Sequence, residues 1–154
     1  MPMEDLKIFL VRAHHNTYAN TSAPKAAALR PASYDYHFEE GDFTYHDTYF
    51  GGKQFIGEET VYWKGKPVWG MNYYGRGLLA DMPESYFDEV LRPALMETPW
   101  ERLPVRGPER FVRGAYEYSM ALIDGNMESF AAEEKISIDG KVIFKTFLHG
   151  GIIA

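Results

Sequence analysis

The chain has 154 residues, no cysteine and a formal net charge of −6. This length fits one domain of ordinary size, which buries enough surface to fold without a disulfide. A sequence without cysteine excludes disulfides and thiolate metal sites, and the negative charge disfavours direct binding to nucleic acid. No apolar run approaches the roughly 20 residues of a membrane helix, and the N-terminus lacks a secretory pattern. We therefore expect a cytoplasmic protein that forms one domain over residues 1–154 and has no membrane partner.

The first predicted element is a helix over residues 4–15. Two acids, Glu4 and Asp5, lie in its first turn, where the helix dipole favours them. Four apolar residues recur at helical spacing on one face: Leu6, Phe9, Leu10 and Ala13. Residues 16–33 are rich in Asn, Thr, Ser, Pro and Ala, which predicts a loop.

Four strands are predicted next, at residues 34–39, 43–50, 55–63 and 67–74. Aromatic and β-branched residues recur in each of them, and glycine-containing turns separate them. Such a series is typical of an antiparallel meander.

A second helix is predicted to begin near Pro83, where Asp81 and Glu84 have the spacing of a capping box. Pro93 is expected to kink it. Its apolar face consists of Phe87, Val90, Leu91, Ala94 and Leu95.

The last third of the chain is predicted to be a loop followed by strands at residues 111–123, 130–138 and 142–148. The loop, residues 98–110, is rich in proline and arginine. Pro104, Gly107 and Pro108 exclude a helix there. We expect a solvated loop that pairs locally with acids through four arginines: Arg102, Arg106, Arg110 and Arg113.

The second half of the sequence repeats features of the first. Residues 55–78 align with residues 130–153, and each half places a helix before its meander. The identical pairs are Phe55/Phe130, Glu58/Glu133, Glu59/Glu134, Gly65/Gly140, Lys66/Lys141 and Gly75/Gly150. This pattern predicts an internal duplication, with halves of about 1–80 and 81–154. The predicted fold class is α+β: an antiparallel sheet from two helix-plus-meander repeats, with the helices on one face.

The register of the last hairpin decides which side chains point inward. A two-residue turn at Asp139-Gly140 would mix isoleucines and lysines on one face. A three-residue turn that also includes Lys141 separates them better, and we prefer it. It pairs Ile138 with Val142, and it puts Ile143 on the charged face. The predicted inner face is then Ile136, Ile138, Val142, Phe144, Thr146 and Leu148, with Val61, Trp63, Trp69, Met71 and Tyr73 in the first half.

The same strand parity turns three acids inward: Asp47, Glu59 and Glu134. It also turns in Tyr45 and Tyr49, which match Tyr118 and Leu122 of the second half, whereas Asp47 matches Met120. Buried carboxylates are rarely unpaired. The acids are therefore structural partners of an arginine or of tyrosine hydroxyls, or they line a polar pocket, or the register is wrong and Glu58 and Glu133 point inward instead.

Common catalytic and cofactor motifs are missing from the sequence. It contains no phosphate-binding loop, no GxGxxG and no GxSxG. His37, His46 and Asp47 belong to neighbouring predicted strands and would meet across a hairpin, but their pattern lacks the spacing of a metal motif. We expect no metal, no cofactor and no catalytic residue.

Several segments resemble a bacterial domain family of unknown function. They are Arg30-Pro31, YHDTYFGG at 45–52, FIGEE at 55–59, PVWGMNYYG at 67–75, Arg106-Gly107-Pro108 and Gly150-Gly151. Some relatives in that family carry the domain behind a helix-turn-helix DNA-binding module. The resemblance therefore implies an appendage to a transcriptional regulator, which suits sensing better than catalysis.

The sequence favours a small-molecule-binding or sensory module without catalysis. Inward acids among aromatic rings would suit a cationic or hydrogen-bond-donating ligand, in a pocket where the two repeats meet. The expected ligand-binding residues are Tyr45, Asp47, Tyr49, Glu59, Trp63, Trp69, Tyr73, Arg106 and Glu134. Two alternatives remain: a small enzyme that uses Asp47 or Glu59 as its acid or base, and an interaction module that forms a homodimer.

Overall fold

The computed structural model describes residues 1–83 and 85–153. Within that part of the chain, one antiparallel sheet of eight strands is accompanied by short helical segments. Helix α1 is Met3–Asn16, and residues 17–33 form the predicted loop. The strands are β1 (Tyr34–Glu40), β2 (Phe43–Gly51), β3 (Gln54–Trp63), β4 (Lys66–Gly77), β5 (Arg110–Arg113), β6 (Tyr116–Asn126), β7 (Ser129–Ile138) and β8 (Lys141–Ile152).

The strand order of the sheet is β1-β2-β3-β4-β8-β7-β6-β5. Along the chain, each meander therefore runs from one edge of the sheet to its centre, where β4 pairs antiparallel with β8. Tyr73 lies opposite Leu148 in this central pair, and Met71 lies opposite Gly150. The order is symmetric about the β4–β8 pair.

The turn predicted for the last hairpin is wrong. Ile138 pairs with Lys141, so the turn contains two residues, Asp139 and Gly140. Their φ angles are 49° and 77°. Positive φ at both central residues is the geometry whose twist matches that of paired strands. The β3–β4 hairpin has the same kind of turn, with φ of 51° at Lys64 and 75° at Gly65.

A β-bulge in β8 gives Ile136 the same partner that the three-residue turn predicts. Ile136 pairs with Phe144 as expected, but Ser137 pairs with Val142, so Ile143 is the extra residue. The prediction that Ile138 pairs with Val142 is therefore wrong. Ile143, expected on the charged face, is buried, because a bulge places two residues opposite one.

The strand expected at residues 111–123 is in fact a hairpin. It divides into β5 and β6, with a turn at Gly114-Ala115. Gly114 has a φ of 61°, a conformation that glycine adopts without steric cost. Inward and outward side chains alternate on both sides of this turn, so the sequence pattern predicts a single strand.

Helix α1 packs through the face that its periodicity predicts. Leu6, Phe9, Leu10 and Ala13 are all buried. The ring of Phe9 stacks on Phe38 of β1 and Phe43 of β2, with centroids 5.8 Å and 4.8 Å away. These contacts hold the helix against the first two strands.

The second helical segment begins with a π-helix, Phe87–Leu91, and continues as α2, Arg92–Met96. Pro93 has no N–H to donate to the carbonyl of Glu89, and the turn before it is widened to the i+5 pattern. The predicted capping box involves Glu84, which lies outside the described residues. None of the described helical segments is both long and apolar enough to cross a membrane.

An aromatic cluster attaches this second segment to the sheet. Tyr86 and Phe87 stack on each other, and both contact Phe144 of β8. Phe87 also contacts Phe55 of β3. The cluster therefore joins the two meanders where they meet.

We predict that Gly150→Ala destabilises the protein. Gly150 lies in β8, between Met71 of β4 and Phe130 of β7. A Cβ atom there would collide with the carbonyl oxygen of Gly70 and the Cα atom of Met71. Backbone in a central strand cannot move away easily, so the free energy of unfolding in urea should fall by about 1–3 kcal/mol.

Gly52→Ala is the matched control. A Cβ atom at Gly52 meets nothing within 4 Å. Its unfolding free energy should stay within about 0.5 kcal/mol of the parent protein. Equal effects of the two substitutions would contradict the close packing of β4 on β8.

Candidate functional site

Two glutamates are buried on the inner face of the sheet, one in each meander. Glu59 of β3 is 1% exposed and Glu134 of β7 is fully buried, whereas Glu58 is exposed and Glu133 is half-buried. The strand parity inferred from the sequence is therefore confirmed for both residues. Such acids require partners, because an unpaired buried carboxylate is costly.

Arg106 lies between the two glutamates. Its Nη1 atom is 3.4 Å from Oε1 of Glu59, and its Nε atom is 3.4 Å from Oε2 of Glu134. The arginine is itself buried. The expectation of a solvated arginine loop is therefore wrong for this residue, although Arg102 and Arg110 do pair with nearby acids, Glu109 and Glu117.

The loop that carries Arg106 is fixed on both sides of it. Thr98 donates a hydrogen bond from Oγ1 to the carbonyl oxygen of Arg106, at 3.1 Å. Val105 has a φ of 66°, a left-handed conformation that is rare for a β-branched residue. Gly107 lies so close to the Tyr118 hydroxyl that a Cβ atom would collide with it. These constraints direct the guanidinium inward, over the sheet.

Each glutamate has a further hydrogen-bond donor. His14 Nε2 lies 2.8 Å from Oε2 of Glu59, and an ionised carboxylate can only accept, so Nε2 carries the hydrogen. The Tyr118 hydroxyl donates to Oε2 of Glu134 at 2.6 Å. Burial alone would raise the pKa of Glu59, but the interactions with His14 and Arg106 outweigh it and hold that pKa below its ordinary value.

Asp47 is the third buried acid, and it has no arginine of its own. It lies directly opposite Glu59 in the β2–β3 pairing. The Tyr73 hydroxyl donates to its Oδ1 atom at 2.6 Å, and the described residues provide no donor for Oδ2. Burial first, and then repulsion by Glu59, raise the pKa of Asp47 to about 8, against the lowering effects of Tyr73 and Arg106.

A cavity of about 300 Å³ opens beside Asp47. Its walls come from β1 to β4, from the loop after α1, from the second helical segment and from the arginine loop. The lining residues are Tyr18, Lys25, Tyr34, Asp47, Tyr49, Gly51, Gly52, Phe55, Tyr73, Phe87, Asp88, Arg92 and Arg106. We refer to this space as the Asp47 cavity. Its strand residues all belong to the first meander, whereas Phe87, Asp88, Arg92 and Arg106 come from the second half of the chain.

The structure brings four of the nine expected site residues to this cavity: Asp47, Tyr49, Tyr73 and Arg106. Four others are buried and do not line it: Tyr45, Glu59, Trp69 and Glu134. Trp63 is half-buried near the β3–β4 turn, where Lys64 lies over its ring at 4.7 Å.

Several cavity residues were missed by the sequence analysis. Tyr18 and Lys25 belong to the loop after α1, whose path has no periodicity from which to predict it. Arg92 and Asp88 lie next to the apolar positions of the predicted helix. Charged residues at such positions usually face solvent, so the sequence gives no signal that they line a cavity. Phe87 was assigned to the apolar face of its helix, and that signal indicates burial without indicating a pocket.

Arg92 forms one wall of the cavity. Its guanidinium carbon lies 4.4 Å from the centroid of the Tyr18 ring, and its Nη1 atom lies 3.4 Å from Oδ1 of Asp88. Its Nε atom is buried and has no hydrogen-bond acceptor within the described part of the chain. Burial raises the pKa of the Tyr18 hydroxyl, and the charge of Arg92 opposes that effect.

The histidines noted in the sequence lie on the other face of the sheet from Asp47. His37 pairs with His46 across β1 and β2, and their ring centroids are 6.3 Å apart. His46 Nε2 lies 3.2 Å from Oδ1 of Asp35. Within residues 1–83 and 85–153, no group of three His, Asp or Glu side chains has the arrangement of a metal site.

The family comparison matches residues 47–153 to a domain of unknown function, DUF5680. The chain belongs to the DUF5680 family. The matched region contains Asp47, both buried glutamates and Arg106, and it begins after Tyr18, Lys25 and Tyr34 of the cavity. No curated protein and no solved structure matches the chain.

We predict that Arg106→Met strongly destabilises this DUF5680 domain. Methionine retains most of the side-chain volume, but it leaves Glu59 and Glu134 buried without a counter-charge. Removal of one partner from a buried ionic group costs about 3–5 kcal/mol. The free energy of unfolding in urea at neutral pH measures the loss.

Arg110→Met is the control for that substitution. Its side chain is 65% exposed and pairs with Glu117, which is also exposed. Its effect should stay within about 1 kcal/mol. An Arg106→Met protein as stable as the Arg110→Met protein would contradict the role assigned to Arg106.

We also predict that Asp47 makes the domain less stable as pH rises. Its pKa is about 8 in the folded state and roughly 3.9 in an unfolded chain. The folded state therefore holds the proton more tightly, and stability falls between these two values as pH increases. Asp47→Asn should remove this slope, so the variant should gain stability relative to the parent protein from about pH 5 to about pH 8.

Urea unfolding of both proteins across that pH range measures the difference. Asp88→Asn is the control, because Asp88 belongs to the same cavity but is 68% exposed, which keeps its carboxylate hydrated in both states. A stability difference between parent and Asp47→Asn that is constant over this range would contradict the assignment.

Proposed function

We propose that this domain binds a small molecule in the Asp47 cavity and does not catalyse a reaction. The observation that carries the proposal is the polar floor of the cavity. Asp47 is buried there with one oxygen that receives no donor, beside Tyr73 and Arg106 and among aromatic walls. Apolar pockets with a few convergent polar groups are the usual form of small-molecule sites.

The bonding of Glu59 argues against the enzymatic alternative. Glu59 does not line the cavity, and both His14 and Arg106 hold its carboxylate. A catalytic acid or base must reach its substrate. Of the two acids considered for catalysis, Asp47 alone lines the cavity, and no second acid or base lies within hydrogen-bond reach of its free oxygen in the described residues.

The wider form of the proposal is a sensory role. The resemblance to domains that follow a helix-turn-helix module supports it, because a ligand site is what such an appendage would contribute to a regulator. In that role the occupancy of the cavity would be passed to a DNA-binding module. DNA binding measured with and without ligand, on a relative that has both parts, tests it, and equal affinities would contradict it.

The proposed homodimer remains a prediction. Ile56, Tyr74 and Phe147 lie opposite one another on β3, β4 and β8, on the face away from Asp47, and all three are exposed. Exposed apolar patches of this kind often mark contact surfaces. Light scattering at micromolar concentration that shows only monomer would contradict the dimer.

We further propose that the sheet arose by duplication of a helix-plus-meander unit. The symmetric strand order supports it, and so do the matching two-residue turns and the buried glutamates. The bulges beside these turns also match, since Val68 is the extra residue of β4 and Ile143 is that of β8, whereas the bulge of β6 at Ile123 has no counterpart in β2. An experimental structure in which β2–β4 does not superpose on β6–β8 with Glu59 on Glu134 would contradict duplication.

The two halves differ at the position of the cavity. Asp47 lies opposite Glu59 in the first meander, and Met120 lies opposite Glu134 in the second. Tyr73, which donates to Asp47, pairs in the sheet with Leu148, its counterpart in the second half. One repeat would therefore have kept a polar site where the other forms apolar core.

Fragment mapping by NMR tests the binding proposal. The amide signals of the ¹⁵N-labelled protein are recorded with and without one-ring fragments that carry a positive charge, a negative charge or no charge. We expect at least one class to shift the signals of Tyr18, Tyr49 and Phe87 while leaving Ile56 and Phe147 unchanged. If no class shifts the cavity signals, or if the shifts fall on the outer face, the proposal fails.

A further inference from the structure

The Asp47 cavity contains more cationic than anionic side chains. Lys25, Arg92 and Arg106 line it, against Asp47 and Asp88. Asp88 is largely exposed, so water screens its charge. Asp47 is predominantly protonated at neutral pH, because burial and then Glu59 raise its pKa to about 8. Arg106 is shared by two buried glutamates and Arg92 lies beside Asp88, so the lining presents guanidinium donors to a ligand rather than a large positive charge.

Three of the six aromatic rings that line the cavity already have a cation nearby. Arg92 lies over the ring of Tyr18, and the guanidinium carbon of Arg106 lies 5.6 Å from the centroid of Tyr73. Lys25 Nζ lies 4.3 Å from the centroid of Tyr34. A cationic ligand would have to approach these groups against their repulsion. These three rings are therefore less open to a cationic ligand than the sequence-based expectation assumes.

Donors remain on both arginines after their protein contacts are counted. A guanidinium has five N–H donors. Arg106 directs its Nη1 and Nε atoms toward the two buried glutamates, which leaves its Nη2 atom. Arg92 lies beside Asp88 and hydrogen-bonds the hydroxyls of Tyr18 and Tyr36. Its buried Nε atom has no acceptor in the described residues. A carboxylate is the planar acceptor that matches such donors, and the pairing is stronger out of water.

The rest of the cavity suits an apolar body. The rings of Phe55, Phe87 and Tyr49 line it beside the charged groups. A volume of about 300 Å³ lies at the lower end of the usual range for small-molecule sites. The space therefore fits a compact molecule, of about the size of one ring with a short side chain.

We propose that the Asp47 cavity takes a small organic anion, a carboxylate on a compact apolar or aromatic body, with its carboxylate between Arg92 and Arg106. The inference rests on the proposed binding function and adds the chemical class of the ligand. Protonated Asp47 donates through its free oxygen, and the apolar body lies against Phe55 and Phe87.

Three probes of matched size and different charge test the class: phenylacetate, phenethylamine and 2-phenylethanol. Each is titrated into the ¹⁵N-labelled protein at pH 7 and millimolar concentration. We expect phenylacetate to bind about tenfold or more tightly than phenethylamine, because a charge-assisted hydrogen bond is worth that factor. The affected amides should be those of Tyr18, Tyr49 and Phe87.

The outcomes separate this inference from the proposed function. If phenethylamine or 2-phenylethanol shifts the cavity signals more strongly than phenylacetate, the anion inference is wrong and the binding function stands. If no probe shifts them, this inference is overturned, and the charged and neutral fragment classes of the wider screen decide the binding function separately.

Single substitutions identify which cationic side chain binds the carboxylate of phenylacetate. Arg92→Gln should weaken the binding of phenylacetate by roughly ten- to a hundredfold, and Arg92→Lys should retain part of the affinity. Lys25→Gln should have a smaller effect, because its amine is at the exposed edge of the site. Lys141→Gln, at an exposed lysine that begins β8, is the control and should leave affinity unchanged. Equal affinity in Arg92→Gln and Lys141→Gln would overturn the proposed position of the carboxylate.

The pH dependence of phenylacetate binding gives an independent readout. Ionised Asp47 would repel the ligand, so affinity should fall as pH rises through about 8, and Asp47→Asn should abolish that fall. An affinity that rises through this range would contradict an anionic ligand. The charged and titratable groups around Asp47 are Asp35, Tyr36, Tyr45, Tyr49, Glu59, Tyr73 and Arg106, with Asp88 and Arg92 across the cavity.

Discussion

One guanidinium between two buried glutamates is the interaction on which the inner face of this sheet depends. Glu59 and Glu134 lie on strands of different meanders, and Arg106 contacts both. Two buried carboxylates in that position need a positively charged partner. The partner comes from a loop, and the loop must lie over the sheet to supply it. The ionic contact thus links the two meanders on the inner face and fixes the position of residues 97–109.

The same contact leaves Asp47 without a cation of its own. Glu59 lies opposite Asp47, and Arg106 is already shared by Glu59 and Glu134. Burial beside a negative neighbour favours the protonated form of Asp47, and the Tyr73 hydroxyl is its one hydrogen-bond donor among the described residues. A buried polar group that is half satisfied is costly for a purely structural core. Asp47 lies at the floor of an open cavity rather than in packed core, which supports the proposed binding role.

Much of the fold could be predicted from the sequence, because alternation along a strand is a local property. The strands of the first meander and the buried face of α1 follow from side-chain period, and the inward direction of Glu59 and Glu134 follows from strand parity. The bulge at Ile143 could not be predicted, since a two-residue turn with a bulge and a three-residue turn give nearly the same pairing. The helical spacing of the apolar residues likewise gives no signal for the π-helical turn before Pro93.

The site was less predictable than the fold. The sequence indicated the residue types that meet, since acids, tyrosines and Arg106 were proposed together. The sequence-based pocket lies between the repeats, and the Asp47 cavity takes its strand residues from the first meander and four further residues from the second half. Tyr18, Lys25 and Arg92 reach it from a loop and a helix edge. The approach of such residues depends on tertiary packing, and no local periodicity encodes it.

The protonation of the buried acids is the most direct test of this account. Carboxyl ¹³C signals of Asp47 and Glu59 can be followed by NMR as pH is varied in the folded protein. The account predicts that Asp47 titrates near 8, and that Glu59, held by His14 and Arg106, titrates below its ordinary value. If Asp47 instead titrates near roughly 4, as a hydrated aspartate does, it is not buried beside an ionised Glu59. The shared-arginine arrangement and the cavity floor built on it would then both be wrong.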